Sequence, residues 1–194
     1  MDHPTFEYFQ GPATEMADLL EGENRCSICG ETGTCFSLHH ASYKGDRDGK
    51  GCLDCLRKGR FFFPHETEAG SLTGRRAALE PLHPRHKVPE DFNRVAFAAL
   101  LKTPQFITWQ GELWLTHCDD FMIYLGEWKP RDFETHANDG DSRRLFLEMT
   151  DEDMNHLWDA AIPDGAEKPS DWYATYYAFK CKHCGKLRGN WDCP

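Results

Sequence analysis

Four cysteines, Cys26, Cys29, Cys52 and Cys55, are spaced as two C-x-x-C pairs. Each pair closes a tight turn and offers both sulfurs on one side. Two such turns facing each other supply the four soft ligands that a tetrahedral Zn²⁺ takes. Gly30 directly follows the first pair, at a place where a turn often needs the positive φ that glycine tolerates. The spacing therefore predicts one zinc site. Disulfides are the competing reading, but the nine cysteines are an odd number and would leave one unpaired. The opening Met1-Asp2-His3-Pro4 also lacks the basic-then-apolar order of a secretory signal. The expected compartment is the cytoplasm, where reduction disfavours disulfides.

A third pair, Cys181-Lys-His-Cys184, runs into Gly185-Lys186 near the chain end. A lone pair needs partners, and Cys118 is the candidate third ligand of a second zinc site. His117 beside it is carried as the fourth, with Asp120, His183 and Cys193 as alternatives. Thioredoxin-like redox chemistry would place the pair early in a βαβ unit, at a helix N-terminus, and this pair sits far from any such position. His39-His40 and the His83-Pro-Arg-His86 segment are read as surface and loop groups.

These ligands must be positioned by short elements. Phe6, Tyr8 and Phe9 form an extended arm, and Met16, Leu19 and Leu20 share one face of a short helix. Cys35–Leu38 is a strand, and a short helix is expected to follow the second pair, with Phe61, Phe62 and Phe63 packed over the metal. Residues 64–87 are rich in His, Pro, Gly and charge and read as a long loop or linker. The strongest helix spans 89–102, with Pro89 at its first turn and Phe92, Val95, Ala96, Ala99 and Leu100 on its buried face. A turn follows at Gln110-Gly111. Asp119 or Asp120 then caps a helix through Phe121–Leu125 that Gly126 ends. Residues 127–149 are irregular, with Leu145-Phe146-Leu147 as a strand candidate. A capping box at Thr150–Asp153 opens a helix through Met154, Leu157, Trp158 and Ala161. The aromatic run Trp172–Lys180 is a strand. The sum is an α+β chain, small and loop-rich, built on zinc knuckles with a few short strands and about three helices. It divides into an N-terminal knuckle lobe over 1–87 and a helix and strand lobe over 88–194, or forms one compact domain.

The formal net charge is −10, from 32 acidic and 22 basic residues. Mean hydropathy is −0.66, and no apolar run reaches bilayer length, so a membrane span is not expected. An acidic surface repels nucleic acid and attracts basic proteins. Basic clusters such as Arg57-Lys58-Arg60 and Arg75-Arg76 are few and short, so a zinc ribbon binding DNA or RNA is disfavoured. A metal-dependent hydrolase is the other alternative. Four cysteines close a tetrahedral site, however, and neither H-E-x-x-H nor a deaminase-type H-x-E with P-C-x-x-C occurs. The expectation is a non-catalytic protein that binds a basic partner through the acidic segments Asp119-Asp120, Asp139–Asp141 and Asp151–Asp153.

The order of motifs carries a resemblance. It begins with Phe6-x-Tyr8-Phe9, Cys26-x-x-Cys29-Gly30 and Cys52-x-x-Cys55. Next comes Thr103-Pro104…Trp109-Gln110…Trp114…His117-Cys118-Asp119-Asp120…Leu125-Gly126, and the chain finishes with Phe179-Lys-Cys181-x-x-Cys184-Gly-Lys186. Over most of its length it resembles the CbrC family of small bacterial proteins, associated with tolerance to nuclease colicins. The resemblance implies an immunity or tolerance protein that masks a toxin. The acidity fits such a role, because a nuclease presents a basic cleft for phosphate into which an acidic partner can be steered.

Overall fold

The computed structural model describes residues 6–73, 78–80, 92–150, 158 and 174–193. The fold is mixed α+β, with small antiparallel sheets and four α-helices among the described residues. In the first part, β1 (Asn24–Arg25) pairs with β2 (Thr32–Gly33) and β3 (Cys35–Ser37) pairs with β4 (Lys50–Cys52). β4 runs directly into α1 (Leu53–Arg57). The stretch expected to be a long loop instead begins with β5 (His65–Thr67), β6 (Gly70–Thr73) and β7 (Ala78–Glu80), a three-stranded meander. Its polar composition hid the strands. Only Leu72 supplies a large apolar side chain among the described residues of β5 and β6, and the buried Thr67 hydroxyl satisfies the turn by donating to the Gly70 carbonyl at 2.7 Å.

The second part is organised by one sheet. β10 (Ile123–Trp128), β11 (Thr175–Lys180) and β12 (Leu187–Asp192) lie antiparallel with β11 in the middle. β11 is buried on both faces, which is why its aromatic run does not alternate with polar residues. Tyr177 and Phe179 enter one core with Trp114, Tyr124 and Phe106. Tyr176 and Ala178 enter another with Trp128, Phe133 and Phe146. The first core also takes Phe36, Phe61, Phe63, Cys52 and Cys55 from the N-terminal part, so apolar packing and the first cysteine cluster are continuous. At its centre the Phe106 and Tyr124 rings stack with centroids 4.4 Å apart, and the Trp114 indole N–H donates to the Met122 carbonyl at 2.8 Å.

Four helix assignments need correction. The 89–102 helix is α2 (Arg94–Leu100), capped by the Asn93 side chain, which accepts from the Val95 N–H at 3.2 Å. Its predicted start at Pro89 lies outside the described residues. Starting at Arg94 turns Phe97 inward with Ala96 and Leu100 and leaves Val95 82% exposed. The predicted helix over 121–125 is absent. Asp120–Phe121 is β9, paired with β8 (Thr116–His117), and Ile123 opens β10. Residues 127–149 are not irregular. They form the end of β10 and the helices α3 (Pro130–His136) and α4 (Ser142–Met149). Pro130 at N1 and Asp132, which accepts from the Lys129 N–H, start α3, while Asp141 starts α4 by accepting from the Arg144 N–H. Phe146 and Met149, expected on a strand and beyond it, sit three apart on the buried face of α4. Near the N-terminus, a 3₁₀ turn at Ala13–Glu15 precedes an extended Met16 that bridges Phe106, in place of the expected helix. Most of the helix expected after Thr150 lies outside the described residues.

β10 carries a bulge between Tyr124 and Gly126. Gly126 has φ +127°, and a Cβ there would stand 3.2 Å from both Pro12 Cδ and Glu15 Oε2. Glu15 fills the bulge, accepting from the Tyr124 hydroxyl at 2.8 Å and the Glu127 N–H at 3.0 Å. Gly126→Ala should therefore lower stability by about 1–3 kcal/mol, the scale of a strained backbone position. A urea titration should show an earlier midpoint with an unchanged slope.

Candidate metal centres

The first cluster is built from two different local structures. In the first knuckle the Gly30 N–H donates to the Cys26 carbonyl at 2.9 Å and the Cys26 N–H to the Glu31 carbonyl at 2.8 Å, with Gly30 at φ +81°. This folds Cys26 and Cys29 onto one side. The other pair straddles a strand-to-helix junction. Cys52 ends β4 and caps α1, while Cys55 lies in the first turn of that helix. One helical turn returns the Cys55 sulfur beside that of Cys52.

All four sulfurs lie within 4.8 Å of one another. Cys26 to Cys55 is 3.8 Å and Cys29 to Cys52 is 3.6 Å. Tetrahedral thiolates at the usual metal–sulfur bond length lie about 3.8 Å apart, so the donor set fits one ion. The Cys26 sulfur also accepts from the Cys52 N–H at 3.2 Å and the Ile28 N–H at 3.4 Å. Burial pushes the Cys26 thiol up, but the amides of Cys29, Cys52 and Ile28 outweigh it and bring the pKa down to about 6. Cys35 lies opposite Cys52 in the β3–β4 register but stays outside the cluster. Its thiol donates to the Asn24 carbonyl at 3.4 Å. Burial, followed by the neighbouring Cys26, Cys52 and Cys29 charges, pushes its pKa up to about 11.

The second cluster joins two hairpin tips. Between β11 and β12 the first knuckle's hydrogen bonds recur: Gly185 N–H to Cys181 carbonyl at 3.0 Å and Cys181 N–H to Lys186 carbonyl at 2.8 Å, with Gly185 at φ +76°. Facing it is the β8–β9 hairpin. His117 pairs with Asp120, leaving a two-residue turn of Cys118 at φ +52° and Asp119 at φ +55°. Positive φ at both central residues is type I′ geometry, which glycine and asparagine favour. A cysteine there is disfavoured by about 1 kcal/mol, and the turn places its sulfur among the other donors. The His117 Nδ1 lies 3.1 Å from the Cys118 sulfur and 3.5 Å from the Cys184 sulfur, and those two sulfurs are 3.9 Å apart. With Cys181 they form a second group of four donors. Burial opposes ionisation of Cys181, but the amides of Cys184 and His183, followed by His117, bring its pKa down to about 6. In contrast to the first cluster, Cys118 and Cys184 are exposed.

The structure thus brings Cys26, Cys29, Cys52 and Cys55 into one group and His117, Cys118, Cys181 and Cys184 into another, each able to hold a metal ion. The alternatives for the fourth place lie elsewhere. Cys193 is beside the Gln110 amide, 3.4 Å away. Asp120 and His183 bond each other at 2.8 Å.

Asp120 is fully buried, which removes it from the acidic surface expected around Asp119-Asp120. Its carboxylate accepts from the Tyr8 hydroxyl at 2.8 Å and the Asn93 amide at 3.1 Å, and it pairs with Lys182 at 3.1 Å. Burial acts to raise its pKa, yet His183, Tyr8, Asn93 and Lys182 together hold it below the usual carboxylate range. One side chain therefore ties the N-terminal arm, the start of α2 and the third knuckle to the β8–β9 turn. The reading of local sequence missed this role, since each partner is distant along the chain.

Folded pKa values below the ordinary thiol value mean that Cys26 and Cys181 add stability above the unfolded pKa, and that this stability disappears as pH falls through about 6. After chelation, thiolate absorbance in the ultraviolet should appear at lower pH in the folded chain than in the urea-unfolded chain. The difference should shrink in the doubly substituted Cys26→Ser, Cys181→Ser chain.

No solved structure matches the chain. The family model described as Uncharacterised protein family (UPF0167) matches residues 3–193, nearly the full length. With both cysteine clusters and the sheet of β10, β11 and β12 inside the matched region, the chain belongs to the uncharacterised protein family UPF0167.

Proposed function

We propose that the chain is a non-catalytic Zn²⁺-binding interaction protein, of the immunity or tolerance type, that binds and neutralises a basic nuclease toxin. The observation that carries the metal half of this reading is the donor count. Each cluster offers four protein ligands, the full complement of a structural zinc site, whereas catalytic zinc keeps a position for water or substrate. The ligand chemistry favours zinc, because thiolate sets with tetrahedral spacing select it over hard cations. In this reading the ions stabilise a fold made of many two- and three-residue strands, since ion binding becomes folding energy where no site exists in the unfolded chain.

The partner half rests on charge and on the resemblance to the CbrC family. The exposed Asp119 and the exposed Asp139 and Asp141 present carboxylates to solvent, although Asp139 is partly neutralised by Arg144. The third acidic segment, Asp151–Asp153, lies outside the described residues. A cytoplasmic location belongs to the same proposal. Among the described residues no helix is long and apolar enough to cross a membrane.

Metal analysis of purified protein should find two zinc ions per chain. Cys118→Asn suits the left-handed turn and should reduce the content to one. Cys26→Ser should remove the other ion and lower the thermal midpoint further, because its cluster adjoins the main core. For the partner, the nuclease domains of colicins should lose activity on stoichiometric addition of the chain. The association rate should fall steeply with added salt, and Asp119→Asn should slow it severalfold. Undiminished nuclease activity across such domains would defeat the partner assignment. A salt-dependent gel shift of nucleic acid would favour the zinc-ribbon alternative.

A further inference from the structure

The two clusters hold sulfurs at nearly equal spacing but meet solvent differently. Cys26–Cys55 and Cys29–Cys52 are 3.8 and 3.6 Å apart, and Cys118–Cys184 is 3.9 Å apart. Cys26, Cys52 and Cys55 are buried and Cys29 is half-buried, whereas Cys118 and Cys184 are both exposed. Thiol oxidation is selected by thiolate character and by access. A bound ion would keep the cysteines of both clusters as thiolates, so access is what separates them.

Geometry also selects the pair within the second cluster. Cys181 is buried, and its sulfur lies 3.9 Å from the His117 carbonyl, under the turn. Cys118 and Cys184 instead sit on two opposed hairpin tips. Joining them requires closing their sulfurs from 3.9 Å to about 2.05 Å, a movement that short exposed turns can make. Cys118 moreover occupies a left-handed backbone position that L side chains rarely hold.

We infer that Cys118 and Cys184 form a peroxide-sensitive thiol pair whose oxidation to a disulfide discharges the ion of the second cluster and leaves the first loaded. The inference rests on reading both clusters as metal sites. One thiolate attacks a peroxide oxygen, breaking the O–O bond to give a sulfenic acid and hydroxide. The other thiolate attacks that sulfur, forming the S–S bond and expelling a second hydroxide. The two sulfurs supply two electrons, hydrogen peroxide accepts them, and the zinc leaves as Zn²⁺ without change of oxidation state. His117 and Cys181 alone are too few to retain it. A thiol reductant with added Zn²⁺ reverses the step.

The test uses the full chain loaded with zinc, hydrogen peroxide and a metal-sensitive dye. Half of the bound zinc should appear at least roughly tenfold faster than the remainder, and non-reducing peptide mapping should join Cys118 to Cys184. In Cys184→Ser the crosslink should vanish and a sulfenic-acid trap should label Cys118. If that variant is misfolded, Cys118→Ser with trapping at Cys184 serves equally. Equal release from both clusters, a crosslink of Cys26 to Cys55 or of Cys181 to Cys184, or two retained ions would overturn the inference while leaving the metal reading intact. A folded chain that binds no zinc would overturn the metal reading itself, and with it the coupling to ion release.

Discussion

Thiolates held close together repel one another unless a cation lies between them, and this chain assembles two groups whose donor atoms all lie within 4.8 Å of one another. That constraint explains several local choices. Amide N–H groups aim at the Cys26 sulfur from two directions, while burial pushes the Cys52 thiol up even at the N-terminus of α1. Cys35, the near neighbour left out of the group, has its thiol pushed up to about 11, first by burial and then by the adjacent charges. The fold supplies part of the compensation for concentrated sulfur, and each group could take the remainder from a metal ion.

The clusters differ in what surrounds them. The first adjoins the main core, with Phe36, Phe61 and Phe63 in the same buried set as its cysteines. The second is a junction of hairpin tips, and Asp120 behind it replaces an apolar wall with a set of hydrogen bonds and an ion pair. A buried carboxylate is stable only when its lone pairs are occupied, and here the occupants come from three separate parts of the chain. Displacing any of those segments would strand a charge, so Asp120 couples their positions.

The central sheet explains how the two halves of the chain share one interior. Its middle strand sends Tyr177 and Phe179 to one side and Tyr176 and Ala178 to the other. The bulge at Gly126 lets the N-terminal arm seat Glu15 against the neighbouring strand. The middle strand then delivers Cys181 to the second cluster, so sheet packing and ligand placement are one structural problem.

Local order along the chain determined the cysteine pairs, their glycine-assisted turns, the aromatic strand and the α+β class, because each depends on neighbours within a few residues. The helix through Arg94–Leu100 was legible for the same reason, although the inward place of Phe97 instead of Val95 depended on where Asn93 caps it. His117-Cys118-Asp119-Asp120 was not legible as a hairpin. It lacks the glycine or asparagine that marks a type I′ turn, and its carboxylates resemble a helix cap. Only tertiary structure decided that His117 joins Cys118, Cys181 and Cys184, that Asp120 turns inward to Tyr8, Asn93, Lys182 and His183, and that one cluster is covered while the other faces water. Those outcomes depend on groups between 27 and 112 residues apart meeting in space, and spacing along the chain carries no record of such meetings.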